Sequence, residues 1–596
     1  MPEFKNPNQG GGGQDNRSFL ALIVVMIAVI LGTQYWRAKH APPTPETSAP
    51  AAATQSAAPA AAPETPASSS APSISVPAVK ADAENTTVVE NELYRITFSN
   101  RGGAVTSWIL KNFKDAEGKP LDMVHADGSK KFGYPLSLYT YDKDLTQNLA
   151  QALYVPSATG KLTAPATLSF DYAAGNVSVH KTFTFGADYV LHASAVVLRN
   201  GAPIRALFSW DGGLGDMDNL VAFNMALVDT STGGKDEHID AKKVSGGATL
   251  NGPFDFAGVS DQYFAAIFMP DQPQDATVVT LHNEMEVHNL APGTGRKSLS
   301  MTKSDGMVPV IGAAVGDASG NSQMRLFVGP KSLEVLKSVR TVDGNNLGPV
   351  LDFGFWGPVG KVLFLGLQYV HAHIASNWGW AIIIFTVLIN LLILPLRVQG
   401  MKSMLKMQRI QPQIDAIKAK YKNPKPTDPK MAEMNAEVMA YQKEQGVSMF
   451  GGCIPTLIQF PLLFAFFTMM TRVVELRQAH WYWLHDLSKA DPYHILPIMM
   501  VLTSFLAQYY TPSPGVDPAQ QRMMAFMMPA FSGWMTWQYA SGLALYWNVG
   551  NLILIAQQQV MNRTALGREM KEIAAKRAAA KTIGKPGAPK TIQGRR

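Results

Sequence analysis

The segment from residue 378 to residue 475 constrains the fold more than any other part of the chain. An apolar run from Trp378 to Leu396 is followed by a basic stretch rich in methionine, and a second apolar run opens at Gly451. An apolar helix of about 20 residues crosses the ~30 Å hydrocarbon core of a bilayer. The segment therefore predicts two membrane-spanning helices joined by a charged structure at the membrane surface.

Apolar runs occur at six places in the chain. We predict an anchor helix at 18–36 and five further spans, at 378–398, 450–472, 495–511, 523–538 and 543–561. The third and fourth of these five are short, so they are expected to cross a locally thinned bilayer, with re-entrant segments as the alternative. A basic pair, Arg37 and Lys39, stands where a signal peptide would be cleaved, which favours a retained anchor.

The distribution of Lys and Arg predicts the orientation. Residues 399–449 hold nine Lys and Arg against five Asp and Glu, and residues 562–596 hold ten against two. The loop near 476–494 holds only Arg477 and Lys489. Because basic loops stay on the cytoplasmic side, both chain ends are predicted to be cytoplasmic, with the domain after the anchor in the periplasm of a bacterial inner membrane. The net charge of +7 therefore belongs to cytoplasmic segments and indicates no DNA binding.

A large β-rich domain is predicted at 85–350. Runs such as Tyr94 to Phe98 and Val177 to Phe185 alternate apolar and polar residues between glycine-rich turns. Alternation of this kind over such a length predicts a large periplasmic β-sandwich, or super-sandwich. The predicted fold class is therefore an all-α polytopic bundle of six transmembrane helices combined with this domain.

The other segments have distinct compositions. Residues 1–17 are assigned to a cytoplasmic N-terminus, 37–84 to a disordered linker rich in Ala and Pro, and 562–596 to a basic cytoplasmic tail. Residues 351–377 have apolar residues at helical spacing and predict an amphipathic helix in the outer interface, with a packed connector helix as the alternative. The five-helix core then covers 378–561.

Residues 399–449 predict a cytoplasmic helical hairpin. Two apolar stripes step by three and four residues on either side of a proline-rich turn that begins after Tyr421. Such stripes pair as an antiparallel coiled coil. Pro412 lies inside the first stripe, where it is expected to kink the helix.

No enzyme motif or metal-ligand set is visible in the sequence, and we predict neither catalysis nor a cofactor. The predicted spans carry polar side chains, which are costly in lipid and usually face a wet or protected interior. Interhelical hydrogen bonding that only holds the helices together is the alternative. These residues are Thr386, Asn390, Gln459, Thr503, Gln508, Thr536, Gln538, Asn548 and Asn551.

Short motifs at coherent spacing resemble those of the YidC/Oxa1/Alb3 family of membrane protein insertases, and closely the form found in Gram-negative bacteria. They include Leu394-Pro395-Leu396, Gln411-Pro412, Leu457-Ile458-Gln459-Phe460-Pro461, Val474-Glu475-Leu476-Arg477-Gln478 and Gln557-Gln558-Gln559. The resemblance covers nearly the whole chain and is looser in the exported domain. It implies a five-helix core around a hydrophilic groove that is open to the cytoplasm and to lipid.

The resemblance also implies particular site residues. A hydrophobic substrate segment would contact the third and fifth spans while its polar flank enters the groove. The substrate-contact candidates are Phe460, Pro461, Leu463, Phe526 and Trp534, and Thr386 and Trp547 match positions on the groove wall. The other groove candidates are Asn390 and Arg397, together with the polar span residues Gln459, Gln508 and Asn551.

One groove position departs from the family pattern. The family normally places an arginine in the second span, and the matching residue here is Asn390. Asparagine can hydrate the groove but supplies no charge. Arg397 follows seven residues later, on nearly the same helical face. Our hypothesis is that Arg397 partly substitutes for the missing arginine by reaching upward.

The resemblance implies a protein that aids insertion, folding and assembly of inner-membrane proteins without nucleotide or cofactor. Its expected partners are nascent membrane proteins and the Sec translocon, and the basic segments suggest the ribosome and anionic lipids. Two alternatives stay open at this point. One is a chaperone that acts only beside the Sec channel, and the other is a sugar-binding or enzymatic β-sandwich of the cell envelope on a membrane anchor.

Overall fold

The computed structural model describes residues 77–217, 220–290, 304–421, 429–447, 454–510 and 518–583. The predicted N-terminus, the anchor at 18–36 and nearly all of the linker lie outside these ranges. The turn of the predicted hairpin, the start of the second apolar run and the end of the basic tail also lie outside them.

The first part of the described chain is built mainly of strands. They are β1 (Thr86–Glu90), β2 (Tyr94–Ser99), β3 (Ala104–Lys114), β4 (Pro120–Asp122), β5 (Ser137–Thr140), β6 (Val155–Pro156), β7 (Gly160–Thr163), β8 (Ala166–Ala174), β9 (Val177–Phe185), β10 (Val190–Arg199), β11 (Ala202–Pro203), β12 (Ala206–Trp210), β13 (Leu227–Thr232), β14 (Lys235–Asp240), β15 (Ala248–Asn251), β16 (Phe256–Ser260), β17 (Phe264–Pro270), β18 (Ala276–Leu290), β19 (Ser304–Asp317) and β20 (Asn321–Pro330).

These strands form three sheets. The largest has the order β14-β13-β16-β17-β20-β10-β9-β8-β6, with β11 paired to β10. Two five-stranded sheets have the orders β4-β3-β2-β1-β7 and β15-β18-β19-β12-β5. Aromatic rings join the layers, since Phe98 lies 5.2 Å from Phe183 and Trp108 lies 6.1 Å from Trp210 between ring centroids. The result is a β-rich domain with one large apolar core and a small separate cluster of Leu207, Val279 and Ala314.

The alternation that predicted the strands is clearest in β9. Its residues alternate between a buried and a more exposed face from Val177 to Phe185. One member of the buried face is Lys181, whose side chain is fully enclosed. Its ammonium group donates to the carbonyl oxygens of Gly102 (2.8 Å), Gly103 (3.2 Å) and Leu136 (2.8 Å). The lysine thereby fastens the large sheet to the turn between β2 and β3.

Helices dominate the second part of the described chain. The short helices of the β-rich domain are α1 (Ala126–Phe132), α2 (Lys143–Gln151), α3 (Leu220–Asn224) and α4 (Leu333–Ser338). The C-terminal region contains α5 (Gly357–His373), α6 (Trp378–Lys420), α7 (Pro429–Glu444), α8 (Ile454–Met470), α9 (Ile495–Tyr510), α10 (Pro518–Gln538), α11 (Ser541–Arg563) and α12 (Ala565–Ile583). Single 3₁₀ turns lie at Ala241–Lys243, Pro273–Asp275, Gly348–Val350, Gly354–Trp356 and Val474–Leu476.

Within the described residues, α6 is the one helix both long and apolar enough to cross a membrane. Shorter apolar helical stretches occur at Gln459–Met470 and Ile495–Tyr510. The six-span prediction therefore stays a prediction. The helices α8 and α11 pack through Phe466 and Tyr546, whose stacked rings have centroids 3.8 Å apart.

The predicted second span and the first arm of the predicted hairpin form a single helix. The helix α6 runs for 43 residues through both Pro395 and Pro412. Its C-terminal part packs against α7, and Lys420 and the following Tyr421 each bond Glu437 at 2.8 Å. Arg409 of the same part pairs with Glu569 of α12 at 2.6 Å. The hairpin arm is thus tied to the helix that begins the C-terminal tail.

The β-rich domain is docked onto the loop that follows α8. Gln262 donates to the carbonyl oxygen of Thr471 at 2.6 Å, and Arg477 donates to that of Lys114, also at 2.6 Å. Arg472 donates to the backbone carbonyl of Asp352 and lies 3.2 Å from its carboxylate. Docking therefore depends on the arginine side chains of this loop and on the backbone of the segments opposite it.

We expect Lys181→Met to destabilise the β-rich domain by about 2 kcal/mol, because three buried carbonyl groups lose their donor while the cost of burying a charge is removed. Urea denaturation followed by tryptophan fluorescence measures the effect. The exposed Lys130→Met is the matched control. Equal stability of both variants would show that the ammonium group contributes nothing.

A second prediction concerns Glu475, whose carboxylate oxygens are shielded from solvent in the docked loop. Burial raises the pKa of Glu475 from 4.5 to about 7. The folded state therefore holds a proton that the unfolded state releases between these values, and stability falls as pH rises from about 4.5 to about 7. Glu475→Gln should remove this loss, so that at pH 8 its free energy of unfolding exceeds that of the unmodified protein by roughly 3 kcal/mol.

Thermal unfolding of the detergent-solubilised protein at pH 5 and pH 8 measures this difference. Glu92→Gln, which removes an exposed carboxylate between β1 and β2, serves as the control. The same change in pH dependence in both variants would contradict the role of burial.

Candidate functional site

A cavity of about 450 Å³ lies between α6, α8, α9 and α11. Its wall combines apolar side chains with amides and one guanidinium group. The lining residues are Asn390, Leu394, Arg397, Val398, Gly400, Met401, Met404, Gln459, Leu463, Gln508, Tyr546, Trp547, Gly550, Asn551, Leu554, Gln557, Gln558 and Met561. None of these lining residues in the described part of the chain is an aspartate or glutamate.

Arg397 is at the centre of the polar part of this wall. Its Nη1 donates to Oε1 of Gln557 at 2.6 Å, and its Nη2 donates to Oε1 of Gln459 at 3.2 Å. Nε2 of Gln557 in turn lies 3.4 Å from the backbone carbonyl oxygen of Asn390. A hydrogen-bonded chain therefore connects α11, α8 and two levels of α6 through one guanidinium group.

The side chain of Asn390 bonds to its own helix and so offers the cavity little hydrogen-bonding capacity. The residue is buried, and its Nδ2 donates to the backbone carbonyl of Thr386 at 2.8 Å. Its own backbone carbonyl takes part in the chain to Arg397. The position where the resemblance implies an arginine thus offers the cavity a neutral amide bonded back to its own helix.

Six of the seven predicted groove residues line the cavity, and Thr386 does not. Thr386 is fully buried, and its hydroxyl donates to the carbonyl oxygen of Ile382 at 2.6 Å. A threonine that bonds one turn back along its own helix has no free donor for a ligand. The structure therefore gives Thr386 a packing position.

Other polar residues in the predicted spans hold helices together. Asn548 donates to the carbonyl oxygens of Leu496 (3.0 Å) and Ala544 (2.9 Å) and accepts from Thr503 at 3.0 Å. These bonds satisfy its amide, so Asn548 fits the interhelical alternative. Asn551 combines both situations, because it lines the cavity and also donates to Ser504 on α9 at 3.0 Å.

The predicted substrate-contact residues differ in exposure and in the cavities they line. Leu463 lines the cavity, whereas its neighbours Phe460 and Pro461 are half-buried beside it on α8. Phe526 and Trp534 are exposed on α10. Trp534 lines a second, apolar cavity of about 500 Å³ between α9 and α10. Their role in substrate contact stays a prediction.

Gln557 and three methionines belong to the cavity wall but were missing from the predicted site. Met401 and Met404 follow Arg397 on α6, and Met561 follows Gln557 on α11. The sequence carried a signal for Gln557, because it begins the Gln557-Gln558-Gln559 motif. Methionine side chains are flexible enough to accept apolar surfaces of varied shape.

The cavity has the chemistry of a binding surface for a polar or acidic segment attached to an apolar one. Its single guanidinium is surrounded by neutral amides, so an anionic side chain that enters meets no repulsion from the described wall. Charge-assisted hydrogen bonds strengthen where water is scarce. No group of three or more potential metal ligands occurs among the described residues.

Comparisons with known proteins identify the family. The model described as "60Kd inner membrane protein" matches residues 369–568, and the model described as "YidC periplasmic domain" matches residues 86–365. A protein named "Membrane protein insertase YidC" from Geobacter metallireducens is 30% identical and covers 92% of this chain and 99% of its own length. A protein of the same name from Ralstonia nicotianae is 30% identical, with 94% and 99% covered.

One solved structure, described as an active YidC insertase with the first transmembrane domain resolved, is 16% identical. It covers 82% of this chain and 95% of its own, with a TM-score of 0.34, a value that supports no conclusion by itself. The relatives are named as insertases and not as enzymes, so the sugar-binding or enzymatic alternative is set aside. Because its relatives match along nearly their whole length, the chain belongs to the YidC family of membrane protein insertases, inner-membrane proteins with a periplasmic β-rich domain and a helical C-terminal region.

Proposed function

We propose that this insertase receives a hydrophobic segment of a nascent membrane protein at the cavity between α6, α8, α9 and α11, and that Arg397 is the cation of this groove. The Arg397 guanidinium lies between Gln459 and Gln557, and none of the described residues of this cavity wall is an aspartate or glutamate. This arrangement supports the proposal. The polar flank of the substrate occupies the amide-lined part while its apolar segment contacts Leu463 and the methionines.

The position of Arg397 supports its role as a substitute for the absent family arginine. It lies seven residues after Asn390, which is about 10 Å along a straight helix. Its partner Gln557 also approaches the Asn390 carbonyl, so the guanidinium extends back toward the level of residue 390. The positive charge of Arg397 therefore lies closer to the cytoplasm than the charge of an arginine at position 390 would.

The energetics of insertion need no nucleotide. The main barrier is the desolvation of the polar flank, and a wet cavity together with a thinned bilayer lowers it. Release is driven by burial of apolar surface in lipid, at about 25 cal/mol per Å². The protein therefore acts as a facilitator that forms no covalent intermediate with its substrate.

We further propose the complete topology. The chain has six spans, at 18–36, 378–398, 450–472, 495–511, 523–538 and 543–561, with both ends in the cytoplasm. The linker at 37–84 and the domain at 85–350 are periplasmic, and α5, within 351–377, lies in the outer interface. Exposed apolar side chains on α5, including Val362 and Tyr369, support this placement.

The cytoplasmic hairpin at 399–449 captures the substrate in this proposal. The ion pair between Arg409 and Glu569 supports a linkage between the hairpin and the tail at 562–596. The basic residues of the tail contact the ribosome or anionic lipid. The insertase works alone or beside the Sec translocon, and its role as a folding chaperone accompanies insertion.

Reconstitution into liposomes tests this function. We expect the purified protein to protect a small single-span test protein from external protease without nucleotide, above the level of empty liposomes. The test protein is made in two forms, with one Asp or one Asn in the tail that crosses. Arg397→Gln should lower the ratio of Asp-form to Asn-form insertion about tenfold, because the anion loses a charge-assisted partner.

Two outcomes would contradict the proposal. Absence of protection by a folded protein would favour the chaperone that acts only beside the Sec channel. Normal insertion of the Asp form by Arg397→Gln would eliminate Arg397 as the groove cation. A chain lacking residues 85–340 serves as a further control, since insertion should survive if the helical core carries the function.

A further inference from the structure

We propose that Gln557 is a positioning residue that holds the Arg397 guanidinium toward residue 390 and so fixes the depth at which the groove engages an acidic substrate side chain. This inference rests on the proposed function of Arg397. Gln557 touches the guanidinium through one end of its carboxamide and approaches the backbone of Asn390 through the other. Gln557 therefore connects the guanidinium of Arg397 to the level of residue 390, where the family has its arginine.

The oxygen and the nitrogen of the Gln557 carboxamide make different contacts. The oxygen accepts from Nη1 of Arg397 at 2.6 Å, the shorter of the two guanidinium contacts to glutamine. The nitrogen, 3.4 Å from the Asn390 carbonyl oxygen, sets the orientation of the amide. An arginine side chain has many rotamers, and fixing it in advance lowers the entropy that substrate binding must overcome.

Gln459 completes the support from the opposite helix. Its oxygen accepts from Nη2 at 3.2 Å, so the guanidinium is held between α8 and α11. These two bonds use two of the five N–H donors of an arginine. The planar group therefore keeps donors for a carboxylate while its orientation is fixed by neutral partners.

Neutrality of the positioning residue is essential. A carboxylate in place of the Gln557 amide would lie at ion-pair distance from Arg397 and would neutralise the cation. An amide instead accepts a hydrogen bond and leaves the full positive charge available. The chain thus orients its cation with groups that do not compete with an acidic substrate for charge.

The variants Gln557→Glu and Gln557→Met test this inference with the Asp-form and Asn-form test proteins. Gln557→Glu should lower the ratio of Asp-form to Asn-form insertion about tenfold, because the internal ion pair replaces the substrate carboxylate. Gln557→Met removes the acceptor at similar size and should lower the ratio by roughly threefold. Because Gln557 lines the cavity, insertion of the Asn form also falls in both variants, and the inference is tested by the ratio of Asp-form to Asn-form insertion.

Gln559→Glu is the matched control, since it makes the same charge change on α11 outside the cavity lining. It should leave the ratio unchanged. The double variant Asn390→Arg with Gln557→Glu should restore the ratio, because its second arginine supplies an unpaired cation at the family position. A residue with only a structural role would not show this rescue.

The remaining outcomes separate this inference from the function on which it rests. If Gln557→Glu and Gln557→Met lower insertion of both test proteins equally, Gln557 only supports the fold and the inference is wrong. If Arg397→Gln lowers the ratio while both Gln557 variants leave it unchanged, the inference alone fails. If none of these variants changes the ratio, Arg397 is not the groove cation and both proposals fail.

Discussion

The guanidinium of Arg397 sets the main physical constraint on the helical core. A charged side chain inside a membrane protein is costly unless it faces a wet interior and has hydrogen-bond partners. Here the partners are supplied by α8 and α11, through Gln459 and Gln557. Those two helices must therefore stand on either side of α6 near residue 397. The cavity exists at the place where the three helices meet around this charge.

The β-rich domain is fastened at the loop that follows α8. The loop after α8 carries Arg472, Arg477 and Gln478, which bond the β-rich domain largely through backbone carbonyl groups. Bonds to the backbone position this loop regardless of the side chains opposite it. The outer end of α8 is thereby held in place, while its residue Gln459 faces the groove at the other end of the helix.

Part of this arrangement could be predicted from the sequence, because polar residues are rare in apolar helices. Asn390, Gln459 and Asn551 stood out for that reason, and the structure places all three on one cavity. Thr386 stood out equally but bonds to its own helix, a choice of rotamer that no spacing reveals. Gln557 lies at the end of an apolar run, where glutamine is common. Only the tertiary structure shows its contact with Arg397.

The β-rich domain also contains a contact that the sequence could not predict. Alternation predicted the strands, and in β9 it also places Lys181 on the buried face. A lysine at such a position normally argues against burial. Its three carbonyl partners come from residues 45 to 79 positions away in the chain, so only the tertiary fold could show that the site satisfies an ammonium group.

A comparison of energies indicates how the proposed groove cation, Arg397, can assist insertion without trapping its substrate. A charge-assisted hydrogen bond contributes roughly 1.5–3 kcal/mol. An apolar helix that leaves the groove with about 1,000 Å² of surface to bury gains on the order of 25 kcal/mol in lipid. The electrostatic contact is therefore strong enough to select and orient an acidic flank but too weak to oppose release. Neutral amides keep it in that range, because a second charge in the wall would either pair with Arg397 or hold the substrate more tightly.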